Sequence, residues 1–298
     1  NDLHRLTNDE SSSVRSSAAS ALSSVFSYIP NKQQAWNDLH KLTSDKKSSV
    51  RSSAADVLGS IFSQIPDKQQ AWDDLHKLTN DRKNFVRSSA VKAIGSAFSQ
   101  VPNKQQAWND LHRLTNDEKS FVRFKSFVRF NTAKALGSAY SQVPDKQQAW
   151  NDLYRLTSDN KSSVRTSSNH SLGRVSIFMA SKAETDENYK KGLEEAIEFF
   201  EKATQESSKA WSKPSKFCLP FYRSFHTIIF KKQESKKEVK KYLEEAKNSI
   251  EDSESKKQLF EAVENLAKAL TEVQNLGNLD FEDKYIIVKS LQSKSHIV

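Results

Sequence analysis

The block K-Q-Q-A-W-(N/D)-D-L-(H/Y)-(K/R)-L-T occurs four times and places Trp36, Trp72, Trp108 and Trp150 at spacings of 36, 36 and 42 residues. A fixed period in this range marks a repeat array, in which each unit buries its apolar face against its neighbours. The longer spacing holds a six-residue duplication, since residues 121–130 read FVRFKSFVRF, and without it the period is 36 throughout. Five units follow, at 1–36, 37–72, 73–108, 109–150 and 151–182, the last degenerate. A hydrophobic content of 36%, against roughly 45–50% for an average globular protein, fits an array with much surface per residue.

Each unit reads as two helices. Asp67 follows Pro66 and opens D-K-Q-Q, a capping box with Asp67 as N-cap and Gln70 at the third helical position. Ala71, Trp72, Leu75 and Leu78 then recur at helical spacing on one face. After a polar turn such as 44–48, a second helix begins near Ser49. It buries Val50, Ala54, Val57, Leu58, Ile61, Phe62 and Ile65, and Pro66 ends it.

The string at 42–60, with Asp45, the Val50–Arg51 pair, the small residues after it and the Leu58–Gly59 step, resembles the HEAT repeat, particularly its short bacterial and archaeal form. The resemblance covers residues 1–182 and implies a right-handed α-solenoid of five 36-residue helix pairs, used mostly to bind other macromolecules. It also implies that the second helices line a concave face. Asp45, Asp81, Asp117 and Asp159 with Arg51, Arg87, Arg129 and Arg165 resemble the Asp/Arg ladder that ties neighbouring HEAT units together; direct ligand contact is the alternative. The first unit starts at N-D-L-H, halfway through its first helix, so a fragment of a longer protein is expected.

After about residue 182 the punctuation thins and Lys/Glu-rich helical text takes over. Helices are expected near 184–206, 215–231, 235–250, 255–275 and 280–292, making 183–298 an α-helical bundle that caps the array. Gly192, Ala196, Phe200 and Ala203 resemble the second helix of a tetratricopeptide unit, and the tail is similar to segments following HEAT-like repeats in large proteins of methanogenic archaea. Residues 216–232 are the most apolar stretch and are expected at the bundle's centre. Ile177, Phe178 and Met179 replace polar residues of earlier units, as expected where another domain docks.

Most residues that invite a chemical reading belong to the repeat. An active site needs different groups converging once, whereas Gly59, Gly95, Gly137 and Gly173 share one position and His4, His40, His76 and His112 another. The histidines read as surface or half-buried positions without a carboxylate partner. H-E-x-x-H, G-x-S-x-G and Walker sequences do not occur. Cys218, the sole cysteine, excludes an intramolecular disulfide and reads as inert core. No catalysis, cofactor, metal or membrane span is expected, and the absence of export signals suggests the cytoplasm.

Charge is uneven. Residues 1–182 hold 26 basic and 16 acidic side chains, the remainder 20 and 21. One exposed second-helix position reads Ser20, Asp56, Lys92, Lys134, His170 along the array, and another Ser24, Ser60, Ser96, Ser138, Arg174. This predicts a serine-rich groove turning basic at Lys92, Lys134, His170 and Arg174, set against the plainer reading of a solvated face that drifted between copies. The leading function is a non-catalytic protein-interaction scaffold whose partner is an acidic segment or another domain of the same longer protein. The alternative is sequence-nonspecific nucleic-acid binding by the basic array. The extra F-V-R-F copy, with Phe121, Val122, Phe124 and Lys125, reads as slippage tolerated in a turn or as an aromatic contact point.

Overall fold

The computed structural model describes residues 2–118, 126–206, 213–230, 236–250, 260–261 and 263–268. Among these there are helices and turns and no strand. The chain divides into two compact units, Asn1–Ser171 and Leu172–Val298. The expected duplication-loop residues at 121–125 and the expected helix at 280–292 lie outside the described residues.

The first unit is an α-solenoid of helix pairs: α1 (Asp2–Thr7) with α2 (Ser12–Val25), α3 (Lys32–Thr43) with α4 (Ser48–Ile61), α5 (Lys68–Leu78) with α6 (Asn84–Ala97) and α7 (Lys104–Leu114) with α8 (Ser126–Ala139). A fifth pair, α9 (Lys146–Leu156) and α10 (Ser162–Ala180), ends the array, and the division between units falls inside α10. First helices start where the sequence places their caps. Asn31, Asp67, Asn103 and Asp145 each accept from the backbone amide three residues on, at 2.9–3.0 Å. The capping box is only half made, because the Gln70 side chain reaches forward to Asp74 at 3.3 Å instead of back to the cap. The Gln70 Nε2 donates to a carboxylate one turn further along, a charge-assisted bond that turns the side chain away from the cap's amide.

Three of the second helices tighten into a 3-10 turn before their proline, at Phe26–Tyr28, Phe62–Gln64 and Tyr140–Gln142, and α6 ends in a turn at 98–100. These turns bury Phe26, Phe62 and Tyr140. In the fifth pair Ala180 stands where the others have proline, and α10 runs on for 19 residues instead of 14. The proline's missing donor and ring clash are what stop the other four.

The second helices pack on one another in sequence, α2 on α4 on α6 on α8, far more extensively than the first helices do. Glycine permits this approach. A methyl group at Gly59 would lie 2.5 Å from the Ala93 backbone, and one at Gly95 2.9 Å from that of Ala135. Trp36, Trp72 and Trp108 are buried between the layers, as core and not as exposed stacking platforms.

The second unit holds α11 (Asp186–Gln205), α12 (Lys213–Phe230) and α13 (Lys236–Asn248), with α12 packed on both others. Thr185 caps α11. Leu193, Ala196, Phe200, Phe221, Phe225 and Leu243 form its core, joined by Ile177. Phe200 stacks on Tyr222 at 5.7 Å. Of the helix expected at 255–275, only 260–261 and 263–268 are described, and they are helical.

Candidate binding face and its polar ladders

Two polar ladders hold the first unit in register. In the first, Arg15 donates through Nε and Nη2 to both oxygens of Asp45, at 2.7 and 3.0 Å. Arg51–Asp81, Arg87–Asp117 and Arg129–Asp159 repeat the fork at 2.6–3.1 Å. The Nη1 of each arginine, and of Arg165, donates to the backbone carbonyl of the aspartate in its own pair's turn. One guanidinium thus fixes its own turn and grips the next. Asp45, Asp81 and Asp159 also accept the amide two residues on, at 2.8–2.9 Å, which shapes the entry to the following helix. A planar five-donor group suits this divided task and a lysine would not.

Burial would raise the Asp45 and Asp81 carboxyls, but the arginine forks, the turn amides and the nearby cationic charges hold both below the ordinary carboxylate range. The Asp45 hydrogen bond correspondingly raises Arg15. The pair is deepest at Arg87 and Asp117, whose side chains are 1% and 3% exposed.

The second ladder corrects the reading of the histidines. Each does have a carboxylate partner, on the first helix of the next pair: His4–Asp38, His40–Asp74, His76–Asp110 and His112–Asp152, with Nδ1 to oxygen distances of 2.5–2.7 Å. The aspartates are buried and the histidines about half exposed. Each of His40, His76 and His112 also lies against the tryptophan one turn earlier, at 5.5–5.9 Å between ring centres. Gln34, Gln70 and Gln148 supply a further donor to the same aspartates. At Asp74 burial dominates and pushes the carboxyl above its ordinary value despite these donors. The signal was present in the repeating D-x-H of the first four units. It was hidden because the Asp and His of one block serve different neighbours. Tyr154, which replaces histidine in the fifth pair, is 59% exposed.

The exposed second-helix face is a network of short polar contacts. Ser23 meets Ser60 at 2.8 Å, Ser52 meets Ser89 at 2.9 Å and Ser27 donates to Gln64 at 2.8 Å, each across one repeat. Lys92 pairs with Asp56 at 3.1 Å, and Ser89 donates to the same carboxylate at 3.0 Å. The sequence gradient from Asp56 to Lys92 is therefore a neutralised cross-repeat pair. Lys134 lies over the Phe130 ring at 5.7 Å. His170 follows on the same row, in α10, whereas Arg174 belongs to the second unit.

Among the described residues, no three His, Cys, Asp or Glu side chains gather as a metal site. Burial pushes the Cys218 thiol up to about 12, so it is a thiol and not a nucleophilic thiolate at neutral pH. No described helix is long and apolar enough to cross a membrane.

The helix pairs define an α-solenoid, and residues 3–95 match the family model of HEAT repeats. No curated protein matches the chain. Among solved structures, a designed armadillo repeat protein in complex with the peptide (KR)4 is 22% identical, with 72% of this chain and 95% of that one covered and a TM-score of 0.43. The complex of CpcE and CpcF of phycocyanin lyase from Nostoc is 12% identical, with 83% and 93% covered and a TM-score of 0.46. The Pds5–Scc1 complex is 11% identical, with 98% and 53% covered and a TM-score of 0.48.

Proposed function

We propose that this chain is a non-catalytic protein-interaction scaffold that takes an acidic partner segment along the second-helix face of the array. One observation carries the reading. The Asp/Arg ladder positions recur from pair to pair, whereas the exposed row Ser20, Asp56, Lys92, Lys134, His170 changes its charge along the array. An exposed row whose charge changes along a repeating stack is where a partner could be told apart. Lys134 and His170 form the basic end of the row, while the Asp56–Lys92 pair leaves the middle near neutral. The partner is an acidic segment of another protein or of a longer version of this one, met in the cytoplasm.

The test is fluorescence anisotropy with a panel of acidic and basic peptides against the full chain and its Lys134→Glu/His170→Glu variant. Acidic peptides should bind, and the variant should weaken them about tenfold or more, or roughly 1.4 kcal/mol. Equal binding by the variant, or turnover of a substrate by the native chain, would overturn the reading.

A further inference from the structure

A second positive surface of the array, apart from the second-helix face, is the edge formed by the turns from first to second helix. Across pairs two and three these turns carry the adjacent cations Lys46 and Lys47, then Arg82 and Lys83, all exposed. Among the described residues none of these four side chains has a hydrogen-bond or ion-pair partner. A basic side chain from the next first helix reaches back onto each turn. Lys77 Nζ donates to Ser44 Oγ at 3.2 Å, and Arg113 Nη2 donates to Thr79 Oγ1 at 2.9 Å. Five cations thus stand on two neighbouring turns, together with Arg113, which also pairs with Asp110 at 3.2 Å. The turn acids Asp45 and Asp81 are already forked by Arg15 and Arg51, and Asp110, the partner of Arg113, is also held by His76.

First helices end and second helices begin on this edge, so their macrodipoles oppose and the side chains set the field. The opposite edge differs: Lys32, Lys68, Lys104 and Lys146 occur singly, and Lys68 and Lys146 directly follow the caps Asp67 and Asp145.

We infer that the turn edge at Lys46, Lys47, Lys77, Arg82, Lys83 and Arg113 is a docking surface for the phosphate backbone of duplex DNA, separate from the peptide-binding face. Protein interfaces are depleted in lysine and need buried aromatic or arginine anchors, and this edge offers one flanking ring, Phe85, only 43% exposed. Single strands call for a series of stacking rings, which a lone ring cannot supply. What remains is a rigid row of donors, with rungs about one helix-packing distance of 8–10 Å apart, matched to a stiff rod of regularly spaced negative charge. Lysine and arginine tips carry donors alone and grip phosphates without needing a base sequence.

The experiment measures binding of a random-sequence DNA duplex to the full chain from about 0.05 to 0.2 M salt. Four to six phosphate contacts predict a log–log slope of about −4 to −5. Lys46→Glu/Lys47→Glu/Arg82→Glu/Lys83→Glu should lose at least about tenfold in affinity at 0.1 M salt and flatten the slope to about −2. Lys32→Glu/Lys68→Glu/Lys104→Glu/Lys146→Glu, with the same change in net charge on the opposite edge, should stay within about threefold, because charges beyond about 10 Å are screened at that salt. The quadruple glutamine variant at 46, 47, 82 and 83 should fall between the native and reversed chains, with helix content by circular dichroism unchanged. Equal losses from the two edges would overturn the inference. So would a native chain without salt-dependent binding, or poly-glutamate competing as well as duplex at equal charge.

Discussion

The two units solve the same problem, burying an apolar helix face, in different ways. The second unit uses a few large aromatic rings, with Phe200, Phe221, Tyr222 and Phe225 fully or nearly buried around Leu193 and Leu243. The first also buries aromatic rings, among them Trp36, Trp72 and Phe62, but draws its second helices together on small residues and fixes them with recurrent polar bonds. Ala54, Ala55, Ala90 and Gly59 bring helices close, and the Arg–Asp and His–Asp rungs fix each pair against the next. Apolar packing has no direction, so an aromatic core tolerates shifts of one helix along another. A bidentate ion pair has direction, and repeated in every pair it gives identical spacing. Regular spacing is what a long partner surface requires.

The largest expected effect tests whether the rungs are truly structural. Arg87→Ala strands the buried Asp117 carboxylate, and loss of one partner of a buried pair costs about 3–5 kcal/mol. Phe225→Ala should cost a similar amount, about 3–5 kcal/mol. Hydrogen exchange read residue by residue should place the first loss in Asn1–Ser171 and the second in Leu172–Val298. The contrast breaks if Arg87→Ala costs no more than an exposed pair, below about 1 kcal/mol, in urea unfolding.

Gly59→Ala comes next. Its methyl group would press on the Ala93 backbone, which no rotamer change can relieve. Overpacking of this kind costs about 1–3 kcal/mol, opposed by the roughly 1 kcal/mol helix preference of alanine. A net loss of about 1–2 kcal/mol is expected, and a gain in melting temperature would show that the layer is looser than its contacts.

Acid sharpens the comparison between the ladders themselves. The Asp45 and Asp81 carboxyls lie below their unfolded value of about 3.9 in the folded chain. Their contribution is present above that value and is lost as pH falls through the folded ones. Asp74 is shifted upward, so its contribution has the opposite sign: it favours folding in acid and is lost as pH rises through its folded value. Asp74→Asn should therefore make the fall of unfolding free energy below about pH 5 steeper than in the native chain. An unchanged pH slope in urea titrations would remove Asp74 from the account.

The smallest effect belongs to the half-exposed histidines. His76→Gln should cost about 1 kcal/mol, one hydrogen bond's net worth, since Arg113 still holds Asp110 at 3.2 Å. A loss of 3 kcal/mol or more would place this ladder on a par with the arginines.

The period, the caps at Asn31, Asp67, Asn103 and Asp145, the stop at each proline and the buried tryptophans could all be read along the chain, because they depend on neighbours within about one helical turn. The His–Asp ladder could not. Its partners stand 34 residues apart, or 40 where the duplication intervenes, and each His sits two residues after an Asp that serves someone else. The same reason turned the row Asp56, Lys92 into an apparent gradient of charge when it is an ion pair across one repeat. The basic turn edge was dispersed in the same way, its cations divided between turns and the helices that reach back to them.

Sequence alone determined that the chain is a stack of like helix pairs followed by a different helical region, because periodicity and composition act locally and repeat. Only the tertiary structure decided which charges neutralise one another and which stand exposed. That choice depends on which faces meet at one repeat's remove, where a side chain's partner is set by packing distance and not by position in the chain.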